Sequence, residues 1–180
     1  ETRKLYLDIF SDIQAKLPQH QVFFRPTVSG VYGLGMLVKQ SVEVVAEGEL
    51  QIFSNPSYPG VGPRHSRILQ WLECSEGGRH YTIINVHGLW NGKGKTDTAE
   101  RLAQSKNIRA FLKTINTPIV LCGDFNLRPD TESLRMLSHD MVDLIKQHNI
   151  IDTRTTFYEK DERYADYIFT SPDVEVKKFS

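Results

Sequence analysis

The stretch IVLCGDFNLRPD, residues 119 to 130, contains the features on which the interpretation of the fold depends. Its apolar start, Ile119 to Cys122, predicts a buried strand, and a proline turn follows. Gly123, which has no Cβ, would let a ligand approach the backbone closely. Because side chains alternate along a strand, Asp124 and Asn126 are predicted to point to the same side. An acid and an amide at the carboxyl end of a strand can orient a water molecule and accept its proton. The alternative is an Asp/Asn turn that only satisfies backbone donors.

Two other predicted strands carry polar residues at one end. In TIINVHGLW, residues 82 to 90, Ile84 and Val86 are predicted to face one way and His87 the other. The imidazole of His87 could donate to a phosphoryl oxygen, although a satisfied core histidine is the alternative. Asp166 stands just before the apolar strand of YADYIFTSP. It is interpreted either as a carboxylate that orients a histidine or as a cap at the start of the strand.

The alternation of predicted strands and helices favours a layered α/β sandwich. An apolar stripe at Leu5, Ile9, Ile13 and Leu17 predicts a first helix that ends at Pro18. Further helices are predicted after Asp97, which has Glu100 three residues on, from Thr131, and near Leu144. The predicted strands lie in 21–28, 32–39, 42–53, 66–74, 80–90, 119–124, 165–172 and from 174 onward. Gly77-Gly78 is predicted to form a hairpin turn, and the Pro/Gly loop 54–63 is long enough to overhang a site.

Composition limits the classes of function. The 180 residues fit one domain, with 39% hydrophobic and 24% charged residues. Lys plus Arg and Asp plus Glu are both 22, and this balance disfavours tight, sequence-blind binding of duplex nucleic acid. Two cysteines make no disulfide framework. No transmembrane run or signal peptide is recognised, and we expect a cytoplasmic monomer.

The motifs INVHGLW, GDFNLRPDTESL and YADYIFTSP, in this order, resemble the endonuclease/exonuclease/phosphatase superfamily, from about Tyr32 to the end of the chain. This resemblance implies an α/β (α+β) fold, a four-layer sandwich of two mixed β-sheets flanked by helices. It also implies metal-dependent cleavage of phosphoester bonds with Mg²⁺, or Mn²⁺, as cofactor. The substrate would be a nucleic acid or a small phosphorylated molecule.

The resemblance also implies roles for four residues. Asp124 would align or deprotonate the attacking water, and Asn126 would hold both Asp124 and a phosphate oxygen. His87 would donate to the phosphoryl group, and Asp166 would orient the family's catalytic histidine. Asp124 and Asn126 would also contact the metal.

The sequence departs from the family pattern at two places. The family binds its metal through a glutamate in a Gln-Glu pair, and no such pair occurs here. The family's closing Ser-Asp-His motif is also absent, since residues 138–140 read Ser-His-Asp. We therefore expect one domain over residues 1–180 that is incomplete at both ends, with the terminal strands and the main carboxylate ligand outside the sequence. A non-catalytic module that binds a phosphorylated ligand stays open as the alternative.

The segment HGLWNGKGKT, residues 87 to 96, suggests a further alternative, a nucleotide-binding P-loop. That motif needs four residues between its glycines, whereas five lie between Gly88 and Gly94, so the spacing disfavours it. Three residues are instead predicted to bind substrate. Asn91 would lie in a mobile loop beside the scissile phosphate, Trp90 would stack on a substrate group, and Arg67 would contact phosphate.

Overall fold

The computed structural model describes residues 9–28, residue 30, residues 32–58 and residues 64–179. Leu5 of the predicted first helix and residues 59–63 of the Pro/Gly loop lie outside this part of the chain. The helices are α1 (Ile9–Lys16), α2 (Ala99–Leu112), α3 (Glu132–Ser138) and α4 (Leu144–Gln147). The strands are β1 (His20–Val28), β2 (Tyr32–Lys39), β3 (Glu43–Phe53), β4 (Arg67–Glu76), β5 (Arg79–His87), β6 (Ile119–Asp124), β7 (Val142–Asp143) and β8 (Asp166–Thr170).

The strands form two sheets. Six of them make a mixed sheet in the order β3-β4-β5-β6-β8-β7, in which β5 and β6 are parallel and the other neighbours are antiparallel. The other two, β1 and β2, form an antiparallel pair. Parallel neighbours need a crossover connection, and α2 supplies it between β5 and β6.

The two faces of the large sheet are covered differently. Alternate residues such as Ile84 and Leu121 are buried against the helical layer that contains Ile108 of α2. On the opposite face the β1–β2 pair packs, and the Gln70 side-chain amide there donates to the Phe23 carbonyl at 2.9 Å.

Helix α1 forms the outermost layer on that side. The ring centroid of Phe10 lies 5.2 Å from that of Phe24 in β1. The order of layers is therefore helices, large sheet, small sheet and helix. This arrangement confirms the predicted four-layer α+β sandwich, with the small sheet an antiparallel pair within the described residues.

The start of α2 differs in detail from the predicted cap. Thr98, not Asp97, is the N-cap, and its side chain accepts a hydrogen bond from the Arg101 backbone N–H. The Asp97 carboxylate instead accepts from the backbone N–H groups of Glu132 and Ser133, at 2.7 and 3.0 Å, at the start of α3. Asp97 thus caps a helix that lies 35 residues further along the chain.

The strand predicted from residue 174 onward is wrong for residues 174–179, which are irregular. No strand among the described residues pairs with this segment, and an apolar–polar alternation alone cannot form a ladder. No helix in the described ranges is long and apolar enough to cross a membrane.

Candidate active site

The three polar strand ends singled out from the sequence lie side by side in the large sheet. His87, the last residue of β5, is paired in register with Asp124, the last residue of β6. Asp124 is paired in turn with Asp166, the first residue of β8, because β8 runs antiparallel to β6. The sheet therefore brings one imidazole and two carboxylates together at a single edge.

Backbone hydrogen bonds extend this pairing beyond the strand ends. The Gly88 N–H donates to the Asp124 carbonyl at 2.7 Å, and the Phe125 N–H donates to the Ala165 carbonyl at 2.7 Å. Gly123 has φ of 138°, and a Cβ at this position would lie 2.0 Å from the Val86 carbonyl oxygen. Only glycine allows such an approach, so this residue holds β6 tightly against β5.

Asn126 lies beside Asp124, but for a different reason from the one predicted. The strand ends at Asp124, and Asn126 adopts a left-handed conformation with φ of 54°, so strand alternation does not apply. Its backbone N–H donates to Asp124 Oδ1 at 2.8 Å, and its side-chain Nδ2 donates to the Gly88 carbonyl at 3.2 Å. Asparagine tolerates this conformation better than most residues. A tight turn therefore joins the acid and the amide.

His87 lies in a polar chain with Tyr32 of β2, in the small sheet, and Arg67 of the neighbouring strand β4. Its Nδ1 is 3.3 Å from the Tyr32 hydroxyl, and Tyr32 is in turn hydrogen-bonded to Arg67. A guanidinium can only donate, so the Tyr32 oxygen accepts from Arg67 and its proton is directed to His87 Nδ1. When Nδ1 accepts this proton, the proton of the neutral imidazole lies on Nε2, from which it can be donated to a ligand oxygen.

Electrostatics keep this imidazole neutral. Burial, and then the positive charge of Arg67, lower the pKa of His87 to about 4. Burial also lowers the pKa of Arg67 from its usual value. His87 is therefore suited to donate a hydrogen bond at neutral pH, but not to act as a resident cation.

The two carboxylates share one arginine that the sequence did not single out. Arg154 Nη2 lies 3.0 Å from Asp124 Oδ2, and Arg154 Nη1 lies 3.3 Å from Asp166 Oδ2. Burial and the neighbouring Asp124 carboxylate raise the pKa of Asp166. The predicted role of Asp166, orienting a catalytic histidine, stays a prediction, since its ion-pair partner within the described residues is this arginine.

A cleft of about 540 Å³ opens beside the strand ends. Four Lys and Arg side chains and two acidic side chains line it, so the lining residues carry a small excess of positive charge. The lining includes His87, Asn126, Arg67, Trp90, Lys95 and Arg154. The Asp124 side chain is 28% exposed and is joined to this cleft through Arg154.

The three predicted substrate-binding residues are placed differently. Arg67 and Trp90 line the cleft. Asn91 is used within its own loop, where its Nδ2 donates to Thr98 Oγ1 at 3.2 Å and its Oδ1 accepts from the Lys93 N–H at 3.3 Å. The structure does not bring Asn91 to the cleft, and its contact with substrate stays a prediction.

Lys95 has a structural role in the glycine-rich segment that suggested a P-loop. It is 3% exposed, and its ammonium donates to the carbonyls of Glu162 and Tyr164 at 2.8 and 2.6 Å. It also lies 5.1 Å from the centre of the Tyr158 ring. Lys95 thus ties the loop after β5 to the segment before β8, which disfavours its use as a nucleotide-binding lysine.

The predicted magnesium ligands fit such an ion in part. Mg²⁺ in proteins commonly uses one or two carboxylates and keeps several waters. The Asp124 carboxylate and the side-chain carbonyl of Asn126 could supply such a set. Both carboxylate oxygens of Asp124 already accept hydrogen bonds, from the Asn126 N–H and from Arg154, but each can accept more than one. Within the described residues no group of three His, Cys, Asp or Glu side chains could hold a metal ion.

The fold and this edge of the sheet define a class of layered α+β proteins with a polar cleft at the ends of adjacent strands. The profile of the Endonuclease/Exonuclease/phosphatase family matches residues 3–180, and the chain belongs to this family. The predicted resemblance is confirmed. The division into one domain that is incomplete at both ends stays a prediction.

Individual relatives are distant. Nocturnin of Homo sapiens is 26% identical over 85 residues, which are 47% of this chain and 20% of that protein. A mannosyl-6-phosphatase of Bacteroides thetaiotaomicron matches with a TM-score of 0.69 at 19% identity, over 91% of this chain and 67% of the other. TDP2 of D. rerio, complexed with a single-strand DNA product, gives 0.68 at 16% identity, over 92% and 68%. At such identities the solved structures establish the fold, and the match to nocturnin spans only a fifth of its length.

Proposed function

We propose that the protein is a hydrolase of phosphoester bonds. The observation that carries this proposal is the alignment of His87, Asp124 and Asp166 on three adjacent strands, beside a cleft lined by four basic and two acidic side chains. Membership of the Endonuclease/Exonuclease/phosphatase family supports the same reaction class.

Each residue has a defined task in this proposal. Asp124 aligns a water molecule and accepts its proton, and the Asn126 backbone N–H holds the carboxylate in position. His87 donates from Nε2 to a phosphoryl oxygen, where negative charge develops in the transition state. Arg67, 3% exposed at the cleft, attracts the anionic substrate.

We further propose that Asp124 and the Asn126 carbonyl hold Mg²⁺, for which Mn²⁺ could substitute. When bound, this ion would neutralise negative charge on the phosphoryl group. The ligand set of one carboxylate and one amide fits an ion that keeps most of its water.

For the substrate, we propose a small phosphorylated molecule over long duplex nucleic acid. The formal net charge of zero gives no long-range attraction to a polyanion, whereas four Lys and Arg side chains against two acidic ones line the cleft. A single-stranded nucleic acid end would also fit this charge distribution. A monomeric state and a cytoplasmic location stay predictions.

Turnover of p-nitrophenyl phosphate and bis-p-nitrophenyl phosphate, with and without Mg²⁺, tests the reaction class. Asp124→Asn should reduce turnover about a hundredfold to ten-thousandfold, because it replaces the base by its neutral isostere. The matched control is Asp130→Asn, which alters an exposed ion pair with Arg128 and should leave turnover unchanged. Equal rates for the parent and Asp124→Asn would contradict the assignment.

A second candidate is a non-catalytic module that binds a phosphorylated ligand. The ion pairs of Arg154 with both carboxylates favour it, because they occupy oxygens that a water molecule or a metal ion would need in the hydrolase. Phosphate binding without turnover of either substrate, in Mg²⁺ and in Mn²⁺, would support this candidate over the hydrolase.

A further inference from the structure

Arg154 is the one described residue that contacts both carboxylates of the strand-end site. Its two terminal nitrogens are divided between two acids, Nη2 to Asp124 Oδ2 at 3.0 Å and Nη1 to Asp166 Oδ2 at 3.3 Å. A guanidinium binds a single carboxylate or phosphate most strongly as a fork, through two parallel N–H groups. The divided contact is therefore weaker, for each acid, than the fork geometry would allow.

The backbone that carries Arg154 is fixed to the start of β8. The Arg154 N–H donates to Asp152 Oδ1 at 2.7 Å, and Thr153 Oγ1 accepts from the N–H groups of Ala165 and Asp166, at 3.0 and 3.1 Å. The Arg154 Cζ lies 5.2 Å from the centre of the Tyr158 ring. The base of this side chain is thus held in place, and its guanidinium is positioned by an aromatic neighbour.

The guanidinium still has donor capacity for a ligand. Its Nε is buried and has no hydrogen-bond acceptor within the described part of the chain. Its side chain is 21% exposed and lines the same cleft as His87 and Arg67. A buried donor without an acceptor is unfavourable, which favours a movement of the guanidinium that brings this nitrogen to an oxygen of an anionic ligand.

We propose that Arg154 binds the phosphoryl group, exchanging its contact with Asp124 for the oxygens of the ligand. In the resting protein, Arg154 offsets part of the negative charge of Asp124 and Asp166, which would otherwise repel an incoming anion more strongly. When the phosphoryl group enters, the guanidinium donates to its oxygens, and Asp124 Oδ2 becomes available to accept from water. The guanidinium stays paired with an anion throughout, because it keeps its contact with Asp166 while the phosphoryl oxygens replace Asp124.

This inference rests on the proposed function for the role of Asp124, but its binding step does not require turnover. The probe is inorganic phosphate, titrated calorimetrically into the parent, Arg154→Gln and Arg154→Lys. The control is Arg135→Gln, since Arg135 is an exposed arginine that pairs with Glu132 on the surface. Circular dichroism and thermal unfolding establish that each variant is folded.

Arg154→Gln should weaken phosphate binding at least about tenfold, the loss expected for a charge-assisted hydrogen bond. Arg154→Lys should lie between Gln and the parent, since lysine keeps the charge but loses the fork. The control should bind as the parent does. A folded Arg154→Gln or Arg154→Lys variant with parental affinity would overturn the proposal, as would a parent that does not bind phosphate at millimolar concentration.

A second readout does not depend on a folded variant at position 154. In ¹H–¹⁵N spectra of the parent, the Nε–H resonance of Arg154 should shift during the titration, with the same midpoint as the calorimetric isotherm. Phosphate binding without movement of this resonance would place the anion elsewhere and overturn the proposal. Arg154-dependent binding without hydrolysis would contradict the proposed function alone, whereas hydrolysis with unchanged phosphate affinity in Arg154→Gln would contradict this inference alone.

Discussion

Stability should decrease on mild acidification because His87 is buried in its neutral form. Burial and Arg67 lower the pKa of His87 to about 4, whereas a histidine in the unfolded chain has a pKa of about 6.5. Between these two values the unfolded chain binds a proton that the folded protein excludes. The free energy of unfolding is therefore not reduced by His87 above about pH 6.5, and it decreases as the pH falls from there toward about 4.

The size of this effect follows from the separation of the two pKa values. One pH unit within this interval corresponds to about 1.4 kcal/mol, so going from about pH 6.5 to about pH 5 should lower the free energy of unfolding by about 2 kcal/mol. Urea unfolding of the parent and of His87→Gln at several pH values measures the difference. Glutamine does not titrate, so between about pH 6.5 and about pH 5 the free energy of unfolding of His87→Gln should fall by about 2 kcal/mol less than that of the parent.

His148→Gln provides the matched control, because His148 is exposed. This variant should keep the pH dependence of the parent. If His87→Gln also follows the parental curve between about pH 6.5 and about pH 5, the imidazole is not held neutral by its surroundings and the reasoning fails.

Three further substitutions test structural features of the site. Lys95→Met removes a buried ammonium from two carbonyl oxygens and should lower the free energy of unfolding in urea by about 3 kcal/mol, whereas Lys93→Met, at an exposed position, should change it little. Gly123→Ala would place a Cβ 2.0 Å from the Val86 carbonyl oxygen, so we expect it to lower the free energy of unfolding by more than about 3 kcal/mol. A variant with parental thermal stability would refute this packing. Asp97→Asn should cost about 1 kcal/mol at neutral pH, since hydrogen bonds to backbone and hydroxyl donors lower the pKa of this carboxyl in spite of its burial. That difference should shrink in acid, as the parental carboxyl becomes protonated; a constant difference down to about pH 3 would contradict the cap.

Elements with a strong local pattern were predictable from the sequence. β2 has the predicted boundaries, Tyr32–Lys39, and the Gly77-Gly78 pair forms the predicted turn with positive φ at both residues. The meeting of His87 and Asp124 was also predictable, because polar residues at the ends of buried strands commonly gather at one edge of a sheet.

Features that depend on distant partners were not predictable. Arg154 stands in an irregular polar segment, and nothing in the neighbouring sequence indicates that it pairs with Asp124, which lies 30 residues earlier in the chain. Lys95 has the local context of a solvated glycine-rich loop, yet carbonyl groups more than 60 residues away surround its ammonium. Asn126 was predicted beside Asp124 for the wrong reason, since the strand ends at Asp124 as predicted and a turn with positive φ at Asn126, not strand alternation, brings the amide to the carboxylate.

The hydrogen bonds that continue past the strand ends, from the Gly88 N–H to the Asp124 carbonyl and from the Phe125 N–H to the Ala165 carbonyl, make the spacing of the reactive groups a property of the main chain. Exchanging a side chain at one of these positions would change the chemistry offered there while leaving the positions of its neighbours intact. Insertions or deletions within the three strand ends would disturb every group at once, whereas the loops around them can be remodelled independently. A scaffold of this kind can acquire new substrates by changing its rim while its reacting groups keep their mutual distances.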